Sequence, residues 1–94
     1  MAPDHGVQRI LKTGGGSMGS YGFAGAVWVR GRTFFAEARV FVRESTPATR
    51  GMLETIRVEA HGSEEAMRLL RARLEEKFGK LRWSRWYSLE EPKV

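Results

Sequence analysis

The stretch that decides the fold is "YGFAGAVWVRGRTFFAEARVFVR", residues 21–43. Two runs rich in aromatic and β-branched residues, 21–30 and 33–43, flank the dipeptide Gly31-Arg32. Glycine at the first central position of a two-residue loop suits a type II′ turn. The stretch therefore predicts a β-hairpin of two long strands.

Pairing across that turn assigns the side chains to faces. Arg30 pairs with Thr33 and Trp28 with Phe35 if residues 31 and 32 form the loop, and paired residues share a face. A slip of one residue would exchange the faces of one strand relative to the other. One face is then almost purely apolar and carries Tyr21, Phe23, Val27, Val29, Phe34, Ala36, Ala38, Val40 and Val42.

Downstream of the hairpin, the pattern predicts a loop and a third strand. "ESTPATRG", residues 44–51, is polar and contains Pro47 and Gly51. "MLETIRVEAH", residues 52–61, alternates in polarity as a half-buried strand does. Its apolar side joins the apolar face through Met52, Ile56, Val58 and Ala60.

A helix follows, with Ser63 as the expected N-cap and Gly79 as its end. Its apolar stripe comprises Met67, Leu70, Leu74 and Phe78. "LRWSRWYS", residues 81–88, predicts a last strand with Leu81, Trp83, Arg85 and Tyr87 on one side. The expected class is α+β: an antiparallel three- to four-stranded sheet, order β-β-β-α-β, with one helix packed on one face.

The first twenty residues predict a separate piece, outside a single domain of residues 21–89 and a tail of residues 90–94. "GGGSMGS", residues 14–20, has the composition of a flexible linker, and Met18 resembles a second start. Residues 1–13 are then a flexible arm, or a tethered ligand peptide whose "VQRIL" adds an edge strand to a peptide-recognition module.

The composition of the chain limits the classes of function that it can have. The 94 residues carry a net charge of +5, mostly through arginine, with a sequence pI of about 10.2. Such a chain is attracted to polyanions such as DNA or RNA. Cysteine is absent, which fits a reducing compartment, and we expect a cytoplasmic protein. No apolar run is long enough to span a membrane, so we expect no membrane partner.

Catalytic and metal-binding patterns are lacking in the sequence. The glycines at 14–16 lack the lysine of a phosphate-binding loop, and His5 and His61 have no ligand spacing. The serines have no His/Asp partner pattern. We therefore expect a non-enzymatic protein without metal or cofactor.

The second face of the hairpin predicts a binding surface, because aromatic rings stack on bases and guanidinium groups hold phosphates. Other interpretations are a packing surface covered by Trp83, Trp86 and Tyr87, a homodimer interface, or a protein or peptide groove. "KLRWSRWYS" either extends the basic strip or closes the core. The expected nucleic-acid-binding residues are Trp28, Arg30, Arg32, Phe35, Arg39, Phe41, Arg43 and Arg57.

The β-β-β-α run over residues 21–78, with "HGSEEAMRLL" at the start of the helix, resembles a group of DNA-binding domains in topology. These are three-stranded-sheet-plus-helix domains, namely the AP2-type domains of plants and the arm-type domains of phage integrases. The resemblance implies a sheet placed in DNA with the helix behind it.

Overall fold

The computed structural model describes residues 8–42 and 52–89, which form one antiparallel sheet of five strands and one helix. The spatial order of the strands is β4-β3-β2-β1-β5. This confirms the α+β class with a helix on one face, and corrects the strand count, because one more strand precedes the predicted ones. The elements are β1 (Gln8–Met18), β2 (Tyr21–Arg30), β3 (Thr33–Val42), β4 (Met52–Ala60), α1 (Ser63–Phe78) and β5 (Trp83–Ser88).

The β2–β3 hairpin has the register that the sequence predicts. Arg30 pairs with Thr33 and Trp28 with Phe35. Gly31 has a φ of 64°, the positive value that the first central residue of a type II′ turn requires. The apolar side chains therefore point to one side of the sheet, where Val27, Ala36 and Val40 are fully buried.

Helix α1 covers that apolar side. Leu70 and Leu74 are each 1% exposed and belong to the core, and Met67 and Phe78 pack against it. The predicted N-cap is wrong by one residue. Gly62 is the N-cap and Ser63 the first helical residue, because the Gly62 carbonyl oxygen accepts the first helical hydrogen bond, from the Ala66 N–H at 3.0 Å. The Glu65 carboxylate accepts the His61 backbone N–H, which lies just before the helix.

The segment expected to be a linker is instead β1, which lies between β2 and β5. Its glycines allow the neighbouring strands to approach closely. A Cβ on Gly14 would overlap the Arg85 carbonyl oxygen, and one on Gly16 would lie 2.8 Å from a ring carbon of Phe23. Met18 at the end of β1 is fully buried. Residues 8–18 therefore form a strand inside the sheet.

Strand β5 pairs antiparallel with β1 and forms an edge of the sheet. Trp86 points to the helix side, where its ring centroid lies 6.2 Å from that of Phe23. Trp83 and Tyr87 point to the other side and are each 56% exposed. Only one of the two tryptophans of this strand therefore closes the core.

Several expectations concern segments outside the described residues: the arm before Gln8, the 44–51 loop and the 90–94 tail. In the described part of the chain, no helix is both long and apolar enough to cross a membrane.

Candidate nucleic-acid interface

The candidate interface is the sheet face opposite α1, called here the outer face. No described element covers it, since the only described helix lies on the other side. Its described charged side chains are four arginines and two glutamates, so it is basic by two charges. They are Arg30, Arg39, Arg57, Arg85, Glu37 and Glu59.

An aromatic pair occupies the end of the outer face near the 31–32 turn. Trp28 and Phe35 lie on paired positions of β2 and β3, with ring centroids 5.4 Å apart and planes 13° from parallel. The Arg57 guanidinium carbon lies 5.4 Å from the Trp28 ring centroid, in the range of a cation–π contact. Three of the predicted site residues therefore form one cluster.

Glu37 links this cluster to a second arginine. Its carboxylate accepts two hydrogen bonds from Arg57, at 3.0 and 3.1 Å, and lies 3.5 Å from Nε of Arg39. The Arg39 and Arg57 side chains remain 67% and 59% exposed, while that of Glu37 is only 15% exposed. One largely buried carboxylate thus holds two guanidinium groups at the surface.

The middle of the outer face is a trough of small side chains, which runs along β1 and β2. Its floor is formed in three successive rows that pair Ser17 with Gly22, Gly15 with Ala24, and Thr13 with Ala26. Because no floor side chain is larger than threonine, the longer side chains of β3 and β5 stand above the floor as two walls.

The register places the wall residues opposite one another across the trough. Phe41 and Trp83 flank the row of Ser17 and Gly22. Arg39 and Arg85 flank the next row, and Glu37 and Tyr87 the third. A cavity of about 580 Å³ opens between these walls and is lined by residues including Gly15, Gly22, Phe41, Trp83, Arg85 and Tyr87.

The remaining predicted site residues are spread along the face. Arg30 and Arg32 lie at the turn end, where both are exposed and make no ion pair with any described residue. Phe41 lies at the opposite end, in the trough wall, and Arg43 is outside the described residues. The predicted site residues therefore form two separate groups on the outer face, one at each end, and not one cluster.

The predicted set omitted the β5 wall, which consists of Trp83, Arg85 and Tyr87. The period-2 alternation of "LRWSRWYS" already placed these three side chains on one side. What the sequence alone could not supply was the neighbour of β5, because the strand joins the sheet beside β1 after a helical crossover.

Comparisons with protein-family models, with curated proteins and with solved structures found no match. The resemblance of residues 21–78 to sheet-plus-helix DNA-binding domains therefore stays a matter of element order. Among residues 8–42 and 52–89, no three His, Cys, Asp or Glu side chains are grouped so that they could hold a metal ion.

Proposed function

We propose that this chain is a non-catalytic nucleic-acid-binding domain that uses the outer face. The observation that carries the proposal is the shared placement of aromatic rings and guanidinium groups on the one side of the sheet that α1 leaves uncovered. Rings supply stacking surfaces for bases, and arginine forms paired hydrogen bonds with phosphate oxygens.

Electrostatics supports a polyanionic partner. The net charge of +5 gives a long-range attraction to phosphates, and the outer face is itself basic. Arg30, Arg32 and Arg85 have no ion-pair partner among the described residues, so they meet a phosphate without first breaking an ion pair within residues 8–42 and 52–89.

A second copy of the chain is the competing occupant, since Trp83 and Tyr87 expose apolar surface. Two copies that met through their outer faces would bring together two surfaces of net positive charge, which costs free energy unless an anion lies between them. This charge argument favours a polyanion over self-association.

The test is a fluorescence-anisotropy titration of labelled oligonucleotides at about 50 and about 200 mM salt. We expect the logarithm of the association constant to fall linearly with the logarithm of the salt concentration. Arg57→Gln should weaken it, because the variant loses the charge beside Trp28 and Glu37. Arg68→Gln, the same change on the exposed side of α1, is the matched control.

Two results would contradict the proposal: no binding at the lower salt concentration, or an affinity that is independent of salt. Sedimentation of the chain alone is the companion measurement. A dimer whose association is weakened by Trp83→Ala, together with no oligonucleotide binding, would assign the outer face to self-association.

A further inference from the structure

We infer that the polymer is a single strand that runs along the trough, parallel to β1 and β2, with Arg39 and Arg85 on either side of its phosphates. The inference rests on the proposed function and adds the strandedness of the polymer, its path and the participation of β5.

The width of the sheet argues against insertion into duplex DNA. Five strands leave four gaps of about 4.8 Å, so the outer face is about 19 Å across. The major groove of B-DNA is about 12 Å wide and admits a helix or a two-stranded ribbon. The insertion implied by the resemblance was based on three strands, and β1 and β5 make the described sheet too wide for it.

The dimensions of the trough suit one strand. Its walls on β3 and β5 are separated by three strand gaps, about 14 Å between Cα atoms. The three rows of the floor extend over about 14 Å along the strands, which corresponds to about four nucleotides at the stacked rise of 3.4 Å. Phe41, Trp83 and Tyr87 line the walls within reach of unpaired bases.

The middle row carries the charge complementarity. It reads Arg39, Ala24, Gly15 and Arg85 across the trough, and the only described carboxylate that contacts either arginine is that of Glu37, 3.5 Å from Arg39 Nε. Between these two arginine positions the floor carries only Ala24 and Gly15, and the cavity over Gly15 extends to Arg85. An anion in that space interacts with both arginines, whereas a neutral or cationic segment gains nothing from them.

The experiment places a carboxylate in that space. Ala24 is exposed at the centre of the middle row, so Ala24→Glu blocks the floor and offsets one of the two positive charges of Arg39 and Arg85 without disturbing the core. Ala72→Glu is the matched control, because it makes the same chemical change at an exposed position of α1, away from the outer face. Circular dichroism and thermal melting verify that both variants keep the fold.

The probe is an oligothymidylate of about ten nucleotides, compared with a mixed-sequence duplex of the same length. We expect the single strand to bind more tightly than the duplex. Its affinity should fall by about tenfold or more for Ala24→Glu and by less than about threefold for Ala72→Glu.

Three outcomes bear on the inference and separate it from the proposed function. Equal losses in the two variants, or a duplex bound as tightly as the single strand, would overturn the trough inference and leave nucleic-acid binding intact. Absence of binding of either probe by the unmodified chain would overturn both.

Discussion

Gly16→Ala distinguishes a structural strand from a linker. A Cβ on Gly16 would overlap the Trp83 carbonyl oxygen and lie 2.8 Å from Phe23 Cε1 and 3.0 Å from the Ser84 Cα. Two of these atoms belong to the β5 backbone, so the overlap is relieved only if β5 moves away from β1. We expect Gly16→Ala to lower the free energy of unfolding by an amount at the upper end of the range of about 1 to 3 kcal/mol that overpacking costs.

For a domain of this size, about 3 kcal/mol lowers the melting temperature by about 12 to 24 °C. Urea unfolding followed by tryptophan fluorescence measures the free energy, and Gly62→Ala provides the control. Gly62 has no atom within 4 Å of its Cβ position, so the added methyl group costs about 1 kcal/mol or less through the weaker N-cap. A change within about 0.5 kcal/mol for Gly16→Ala is typical of an exposed, unstructured site and would refute the central position of β1.

Three further predictions test the core, the interface and the contact between helix and sheet. Leu70→Ala should lower the free energy of unfolding, measured in urea, by about 2 to 5 kcal/mol. Leu69→Ala, at a position 37% exposed, should lower it by less than about 1 kcal/mol. Equal losses in the two variants would contradict the orientation of α1. Trp83→Ala should weaken single-strand binding by about 5- to 150-fold in the anisotropy assay with little change in melting temperature, and an unchanged affinity would exclude the β5 wall from the interface. Lys77→Ala removes the ion pair with Glu54 of β4 and should cost about 1 kcal/mol or less in low-salt urea unfolding; a larger loss that persists in high salt would contradict a surface ion pair.

The hairpin could be predicted in detail because its information is local. A turn of two residues fixes the register, and the register assigns every side chain of both strands to a face. The positive φ of Gly31 and the pairing of Trp28 with Phe35 follow from that single turn. The apolar stripe of α1 was readable for the same reason, since Leu70 and Leu74 are one helical turn apart.

Strand β1 was missed because glycine has the same local signature in a linker and in a tightly approached strand. Nothing within "GGGSMGS" indicates that Phe23 and Trp86 lie over Gly14, Gly16 and Gly25. Those two rings supply the bulk that glycine lacks, and they come from β2 and β5. Because the supporting residues are distant in sequence, local propensity favours the linker although the tertiary packing favours the strand.

The candidate site was predicted only on the strands whose neighbours the sequence revealed. Trp28, Phe35, Arg39 and Arg57 lie on strands joined in sequence order, and the structure links them. Trp28 stacks on Phe35 and contacts Arg57, and Glu37 joins Arg57 to Arg39. The β5 wall depends instead on which edge of the sheet the chain reaches after α1. Alternation along β5 determined which side Arg85 faces, but gave no information on its neighbour across the trough.

The missed strand and the missed half of the site have one physical cause. Glycines in β1 admit the rings of Phe23 and Trp86 on the helix side, so the sheet is filled there by side chains from neighbouring strands. On the outer face nothing replaces the absent side chains, and Gly15 remains as open floor between two walls. If the run were a linker, β5 would not pair with β1, and the register that places Arg85 across from Arg39 would not exist. The glycine run is therefore the condition for the trough, and a test of β1 packing is also a test of whether the proposed path for a single strand exists.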